Sequence, residues 1–165
     1  MSDFIPYGRQ CIDDDDVAAV AEVLRSDWLT TGPKVAEFEE VLAECGGARH
    51  AVTFCNGTAA LHAAMFALDI GPGDEVVVPA LTFAATANAV VYQGGTPIFA
   101  DVDPETLLID PAGVAARVTS RTRAIVAVDY AGQPCDYRAL QEIADRHGVP
   151  LVADACHALG GAERG

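Results

Sequence analysis

A doubly wound α/β sheet is the fold this sequence predicts, and three observations carry it. Short β-rich runs alternate with helix-like stretches from residue 50 onward. That order gives parallel strands joined by crossover helices. Two of the runs, 76–78 and 124–128, are apolar without alternation, as strands covered on both faces are. Glycines sit just past three of the helical stretches, where a left-handed residue ends a helix. The expectation is a three-layer α/β/α arrangement around a mostly parallel sheet.

The elements follow in order. A first helix begins in Asp13–Asp16, an acidic opening turn that the helix dipole favours. A second runs from about Lys34 to Cys45, after the turn-rich stretch 28–33. Five β-rich runs sit at 50–55, 75–79, 97–100, 123–128 and 150–153. Between them lie helical stretches at 58–68, 84–92, 111–118 and 137–147. Gly71, Gly94 and Gly148 follow three of these, and Pro111 suits a first turn, where a missing N–H does no harm. The chain stops soon after its fifth run with nothing to close the sheet. The expected organisation is an N-terminal helical segment over 1–45 and the first part of a larger domain over 46–165, a truncated whole.

Composition narrows the function. The 165 residues suffice for one core, and 51% hydrophobic with 21% charged residues excludes a disordered segment. No apolar run reaches the ~18 residues of a membrane helix. The start has neither a basic nor an apolar leader region, so a cytoplasmic location is expected. The net charge of -14 argues against nucleic acid and anionic membranes as partners. A local anion pocket built from backbone N–H groups stays open. Cys11, Cys45, Cys55, Cys135 and Cys156 form no C-x-x-C pair and are expected as reduced thiols. His50, His62, His147 and His157 show no metal-ligand spacing, so no metal is expected. Lys34 is the single lysine.

Three constellations carry chemistry. Cys55-Asn56-Gly57-Thr58 lies between a β-rich run and a helix. Free N–H groups, a close approach at Gly57 and the Thr58 hydroxyl suit a phosphate there, although an ordinary capped helix start presents the same residues. Asp154 emerges at the carboxyl end of the fifth run, the edge where open α/β sheets bind ligands. It is a buried-carboxylate candidate, unless it simply caps the following turn. Cys156 and His157 follow it, but neighbours on an extended chain face opposite ways, which argues against a thiol triad. Phe83, after the second run, brings an aromatic ring to the same edge, or to the core. Asp101 and Asp103 are expected as turn residues rather than metal ligands. No G-x-G-x-x-G or P-loop pattern occurs.

Taken together, 29–34, 56–61, 71–76, 82–88, 101–104 and 154–160 resemble the DegT/DnrJ/EryC1/StrS family in order and spacing. These are sugar aminotransferases dependent on pyridoxal 5'-phosphate (PLP), with the fold type I architecture of aspartate aminotransferase. The resemblance implies that Gly57 and Thr58 form the phosphate cup and that Phe83 stacks on the cofactor ring. It implies that Asp154 pairs with the pyridine nitrogen and His157 bonds near the phenolic oxygen. Tyr7, Trp28, Leu29 and Thr30 match the family's substrate-contacting segment. The family's catalytic lysine, which holds PLP as a Schiff base, would fall beyond Gly165, and Lys34 matches no such motif. No catalytic residue is therefore expected within this sequence, and the fragment itself is expected to be inactive.

Segments 128–132 and 156–160 are most similar to members that use glutamate to aminate C4 of a UDP-linked 4-keto-hexose toward pseudaminic acid. Members that make UDP-4-amino-4-deoxy-L-arabinose are a close second. The resemblance also admits a PLP-dependent sugar dehydratase of the same family and a non-catalytic truncated copy. A homodimer is implied for the full-length protein.

Overall fold

A computed structural model describes residues 10–161, so Tyr7 lies outside the described residues. The chain divides into two compact units, Met1–Val52 and Thr53–Gly165. The first holds α1 (Asp14–Arg25) and α2 (Pro33–Cys45), neither of which buries a residue. The acidic opening works as a reciprocal cap. Asp13 accepts from the N–H groups of Asp15 and Asp16, and the Asp16 carboxylate accepts from the Asp13 N–H.

The second unit is the α/β body. Its elements are α3 (Gly57–Ala67), β1 (Glu75–Pro79), α4 (Ala85–Tyr92), β2 (Thr96–Ala100), α5 (Pro111–Arg117), β3 (Thr122–Val128), α6 (Tyr137–His147) and β4 (Leu151–Asp154). The four strands are all parallel, in the order β2-β1-β3-β4. The chain steps outward from β1 to β2, then crosses to β3 on the other side. This reversal makes the crevice at the carboxyl ends of β1 and β3 a topological switch point.

Period-2 alternation divides the strands between two cores. Val77, Ile125 and Ala127 pack with Val114 of α5 and Leu140 and Ile143 of α6. Val76, Val78 and Val126 pack on the other face with Met65 of α3 and Val90 of α4. The expected three layers are therefore present: α3 and α4, the sheet, then α5 and α6.

Two expectations are corrected. Residues 50–55 form no strand, so among the described residues the sheet has four strands rather than five. A strand exists through its partner's backbone, and the edge strands β2 and β4 each pair only inward among the described residues. After α3 the left-handed residue is Asp69, at φ 55°, rather than Gly71. Aspartate tolerates that conformation, and the Ile70 N–H still closes on the Met65 carbonyl. Asp103 is turn chemistry as expected, accepting from the N–H groups of Glu105 and Thr106. Among the described residues no helix is long and apolar enough to cross a membrane.

Candidate active site at the carboxyl edge of the sheet

Asp154 ends β4 and is 8% exposed. It lies two residues beyond Val152, which packs on the α3–α4 core, so alternation turns both to that face. From α4 the Thr86 hydroxyl donates to Asp154 Oδ2 at 3.0 Å. The Cys156 N–H reaches Oδ1 only at 3.5 Å. Thr86 is 1% exposed, and its oxygen lies 2.8 Å from the Thr82 hydroxyl. Phe83 sits between these two threonines in sequence and is 78% exposed, so it is not a core residue. The carboxylate and the aromatic ring are thus tied to one turn of chain.

The start of α3 comes to the same edge. Asn56 caps it, accepting from the Ala59 N–H at 2.8 Å. The next two N–H groups, of Gly57 and Thr58, have no acceptor inside the helix. A Cβ on residue 57 would stand 2.9 Å from Cys156 Sγ, closer than real contacts allow. The absence of a Cβ at Gly57 leaves room for the Cys156 side chain beside the helix start. A second close approach occurs at Gly132, φ +84°, in the 3-10 turn Tyr130–Gly132 after β3. A Cβ there would stand 2.9 Å from the His157 carbonyl oxygen.

The turn 155–158 is closed by the Ala158 N–H on the Ala155 carbonyl. Cys156 and His157 are therefore not on an extended chain, and alternation cannot be the argument against a thiol triad. Electrostatics supplies a better one. Its hydrogen bond with Asp154, together with partial burial, pushes the Cys156 thiol up to about 11. A protonated thiol is a poor nucleophile.

Asp129, at the end of β3, faces the opposite layer. Its Oδ1 accepts from the Tyr137 hydroxyl at 2.8 Å and the Cys135 N–H at 3.0 Å, and both donors belong to the α5–α6 side. Burial, then Asp129, raises both neighbours: the Cys135 thiol to about 12, and the Tyr137 phenol above its ordinary value.

Trp28, Leu29 and Thr30 belong to the first unit. There Trp28 and Leu29 line a cavity of about 330 Å³ with Thr31 and Lys34. Lys34 pairs with Glu37 at 2.6 Å, and that bond raises its pKa. The sequence reading missed Thr82 and Thr86 as site residues. Their signal is the four-residue spacing of two hydroxyls in an otherwise apolar helix start.

A family model for DegT/DnrJ/EryC1/StrS aminotransferases matches residues 10–165. The chain belongs to that family. Solved structures agree with the assignment. DesV from S. venezuelae is 42% identical, with a TM-score of 0.84 over 87% of this chain and 39% of its own. Spr1654 from Streptococcus pneumoniae, assigned as a sugar aminotransferase and seen in a PLP form, is 32% identical, with a TM-score of 0.88 over 94% of this chain and 44% of its own. A 3-amino-5-hydroxybenzoic acid synthase is 40% identical, with a TM-score of 0.87 over 91% of this chain and 40% of its own. The chain thus spans about two fifths of the length of these structures.

PLP is the cofactor of the DegT family, and the residues present fit it. A phosphate needs unpaired N–H groups and room for close approach, which the α3 start and Gly57 offer. A protonated ring nitrogen needs a carboxylate shielded from water, and Asp154 is nearly buried, with Thr86 as its one strong donor among the described residues and the Cys156 N–H and thiol as weak ones.

Proposed function

We propose that the whole protein is a PLP-dependent aminotransferase acting on a nucleotide-linked keto-sugar. Residues 46–165 are then the first part of its cofactor-binding domain. The observation that supports this most is Asp154, nearly buried at the ligand-binding end of a parallel sheet and anchored at one oxygen by Thr86. When bound, PLP supplies the electron sink that amino transfer needs. Asp154 holds a proton at the ring nitrogen. The Gly57 and Thr58 N–H groups bind the phosphate, aided by the positive end of the α3 dipole and the Thr58 hydroxyl. Phe83 covers one ring face, and His157 bonds near the phenolic oxygen. Tyr7, Trp28, Leu29 and Thr30 contact the substrate.

Lys34 is a poor anchor for the cofactor, because its bond to Glu37 favours the protonated amine. The anchoring lysine is assigned to chain beyond Gly165, and the working form to a cytoplasmic homodimer. The proposed donor is glutamate, and the acceptor is C4 of a UDP-linked 4-keto-hexose on a route to pseudaminic acid. Segments 128–132 and 156–160 support that choice. A second reading has one observation behind it: the similarity to a 3-amino-5-hydroxybenzoic acid synthase is as close as that to the sugar aminotransferase Spr1654. It replaces the sugar with a carbocyclic ketone.

The test is transfer of nitrogen-15 from glutamate in the full-length protein. It is offered UDP-4-keto-hexoses, a UDP-4-keto-pentose and a carbocyclic ketone. Label at C4 of the hexose is expected. Label only in the pentose moves the substrate to the arabinose series, and label only in the carbocycle selects the second reading. Transfer to no acceptor ends the aminotransferase proposal.

A further inference from the structure

Thr86 is an odd residue for its place. It sits fully buried near the start of α4, among Ala85, Ala89 and Val90, where an alanine or valine would pack as well. A threonine inside a helix usually turns its hydroxyl back to the carbonyl four residues earlier. Here the hydroxyl oxygen lies 2.8 Å from the Thr82 side-chain oxygen and 3.0 Å from Asp154 Oδ2. An ionised carboxylate only accepts, so the Thr86 proton goes to Asp154. The Thr86 oxygen is then left as the acceptor, and the donor between the two threonines is Thr82. The chain has one direction, from Thr82 through Thr86 to Asp154 Oδ2.

We infer that Thr86 is the positioning residue of Asp154. It fixes Oδ2, and so presents Oδ1 as the atom that meets the cofactor's ring nitrogen. Cys156 supplies the remaining contacts, its N–H 3.5 Å from Oδ1 and its thiol in a hydrogen bond with the carboxylate, and both are weak donors that a ring N–H can displace. Thr82 acts one step further back, by setting which lone pair and which proton Thr86 has to offer. This inference rests on the reading of Asp154 as the ring-nitrogen partner.

The experiment uses the full-length protein in parallel variants. Thr86→Val keeps the shape and removes the hydroxyl. A hydrogen bond to a charged group is lost, so kcat should fall about tenfold, with KM for glutamate changed less than about twofold. PLP should bind the apoenzyme about threefold or more weakly in a fluorescence titration. Thr86→Ser should restore both kcat and PLP affinity to within about threefold, because it returns the donor. Thr82→Val should cost only about twofold, because it removes a polarising bond and leaves the Thr86 donor in place. If Thr86→Val fails to fold, the pair Thr86→Ala and Thr86→Ser is compared instead, since the two differ by one oxygen.

Wild-type kcat and PLP affinity in Thr86→Val overturn the inference. So does a Thr86→Ser enzyme as impaired as Thr86→Val, which shows a packing role. A loss at Thr82→Val as large as at Thr86→Val overturns the direction of the chain. Asp154→Asn serves as the reference. If it turns over and binds PLP like the wild type, the reading of Asp154 fails. If it collapses while Thr86→Val does not, only the role of Thr86 fails.

Discussion

The two ends of the sheet treat their carboxylates differently. At the amino end, Glu75 receives the Arg121 guanidinium and the Thr119 hydroxyl, and Asp74 receives Arg123 Nε at 2.9 Å and the Gly71 N–H at 3.0 Å. Each acid there meets a cation of its own chain. At the carboxyl end, the donors are a hydroxyl and an amide for Asp129, and a hydroxyl, an amide and the Cys156 thiol for Asp154. The amino end balances its charge internally, whereas the carboxyl end holds negative charge in place with neutral donors. That is what a site for a cationic or protonated ligand group requires. Cavity size alone would mislead here. A cavity of about 780 Å³ lies at the amino end, lined by Arg123, His147 and Pro150.

The strongest way to break this contrast is to remove the charge at the carboxyl end. Asp154→Asn keeps size and most hydrogen bonding but cannot hold the ring proton through both halves of the reaction. In the full-length protein, kcat for glutamate and for keto-sugar should each fall by roughly two orders of magnitude, at about 1.4 kcal/mol of barrier per tenfold. PLP retention should suffer less, because the proposed phosphate cup at Gly57 and Thr58 is untouched. Steady-state kinetics with a circular dichroism check decides it, and near wild-type turnover would make Asp154 a turn cap.

The next effect is steric. Gly57→Ala puts a methyl group 2.9 Å from Cys156 Sγ, so the Cys156 side chain must rotate, or the α3 start must shift, to admit it. Overpacking of this kind costs about 1–3 kcal/mol. We expect PLP affinity to drop roughly tenfold by titration. Cys156→Ala removes the obstructing sulfur, so the double variant should recover most of it. No recovery would place the fault in the helix start itself.

Much of this was legible in the sequence, for identifiable reasons. Helix α6 coincides with the expected 137–147, because Asp136 and Gly148 cap it as local chemistry dictates. The uninterrupted apolar runs 76–78 and 124–128 marked the doubly covered strands, and Asp154 stood out as an acid at the carboxyl end of the last β-rich run. What was not legible depended on partners distant in sequence. The run 50–55 has strand-like residues, but its fate turns on a neighbour rather than on its own pattern. Thr86 is 68 residues from Asp154, and no local signal joins the two. Asp129, inside the segment 128–132 on which the choice of substrate leans, accepts hydrogen bonds from Tyr137 and Cys135 on the α5–α6 side.

A smaller effect sharpens the link between Asp154 and Cys156. The thiol is exposed, yet the adjacent carboxylate keeps it protonated, at about 11. Alkylation of Cys156 at mildly alkaline pH should therefore be slow for an exposed cysteine. In Asp154→Asn the negative neighbour is gone, and the rate should rise roughly tenfold. Peptide mapping after timed iodoacetamide treatment of the apo form reads this directly. An unchanged rate would mean that burial, rather than Asp154, raises the thiol.

The smallest expected effect is at the amino end, where charge is already matched. The Thr119 hydroxyl and then the Arg121 guanidinium hold the Glu75 carboxyl below its ordinary 4.5. A carboxyl depressed in the folded state contributes stability that is fully present above 4.5 and lost as pH falls through its folded value. The wild type should therefore lose urea resistance on going from neutral pH to about pH 3. Glu75→Gln should be slightly weaker at neutral pH and show a shallower acid decline, because one titrating group has gone. The guanidinium is exposed and screened by salt, so the difference should shrink as ionic strength rises. If the acid decline is equally steep in both proteins, Glu75 is not the group that couples this end of the sheet to pH, and Asp74 with Arg123 becomes the pair to change.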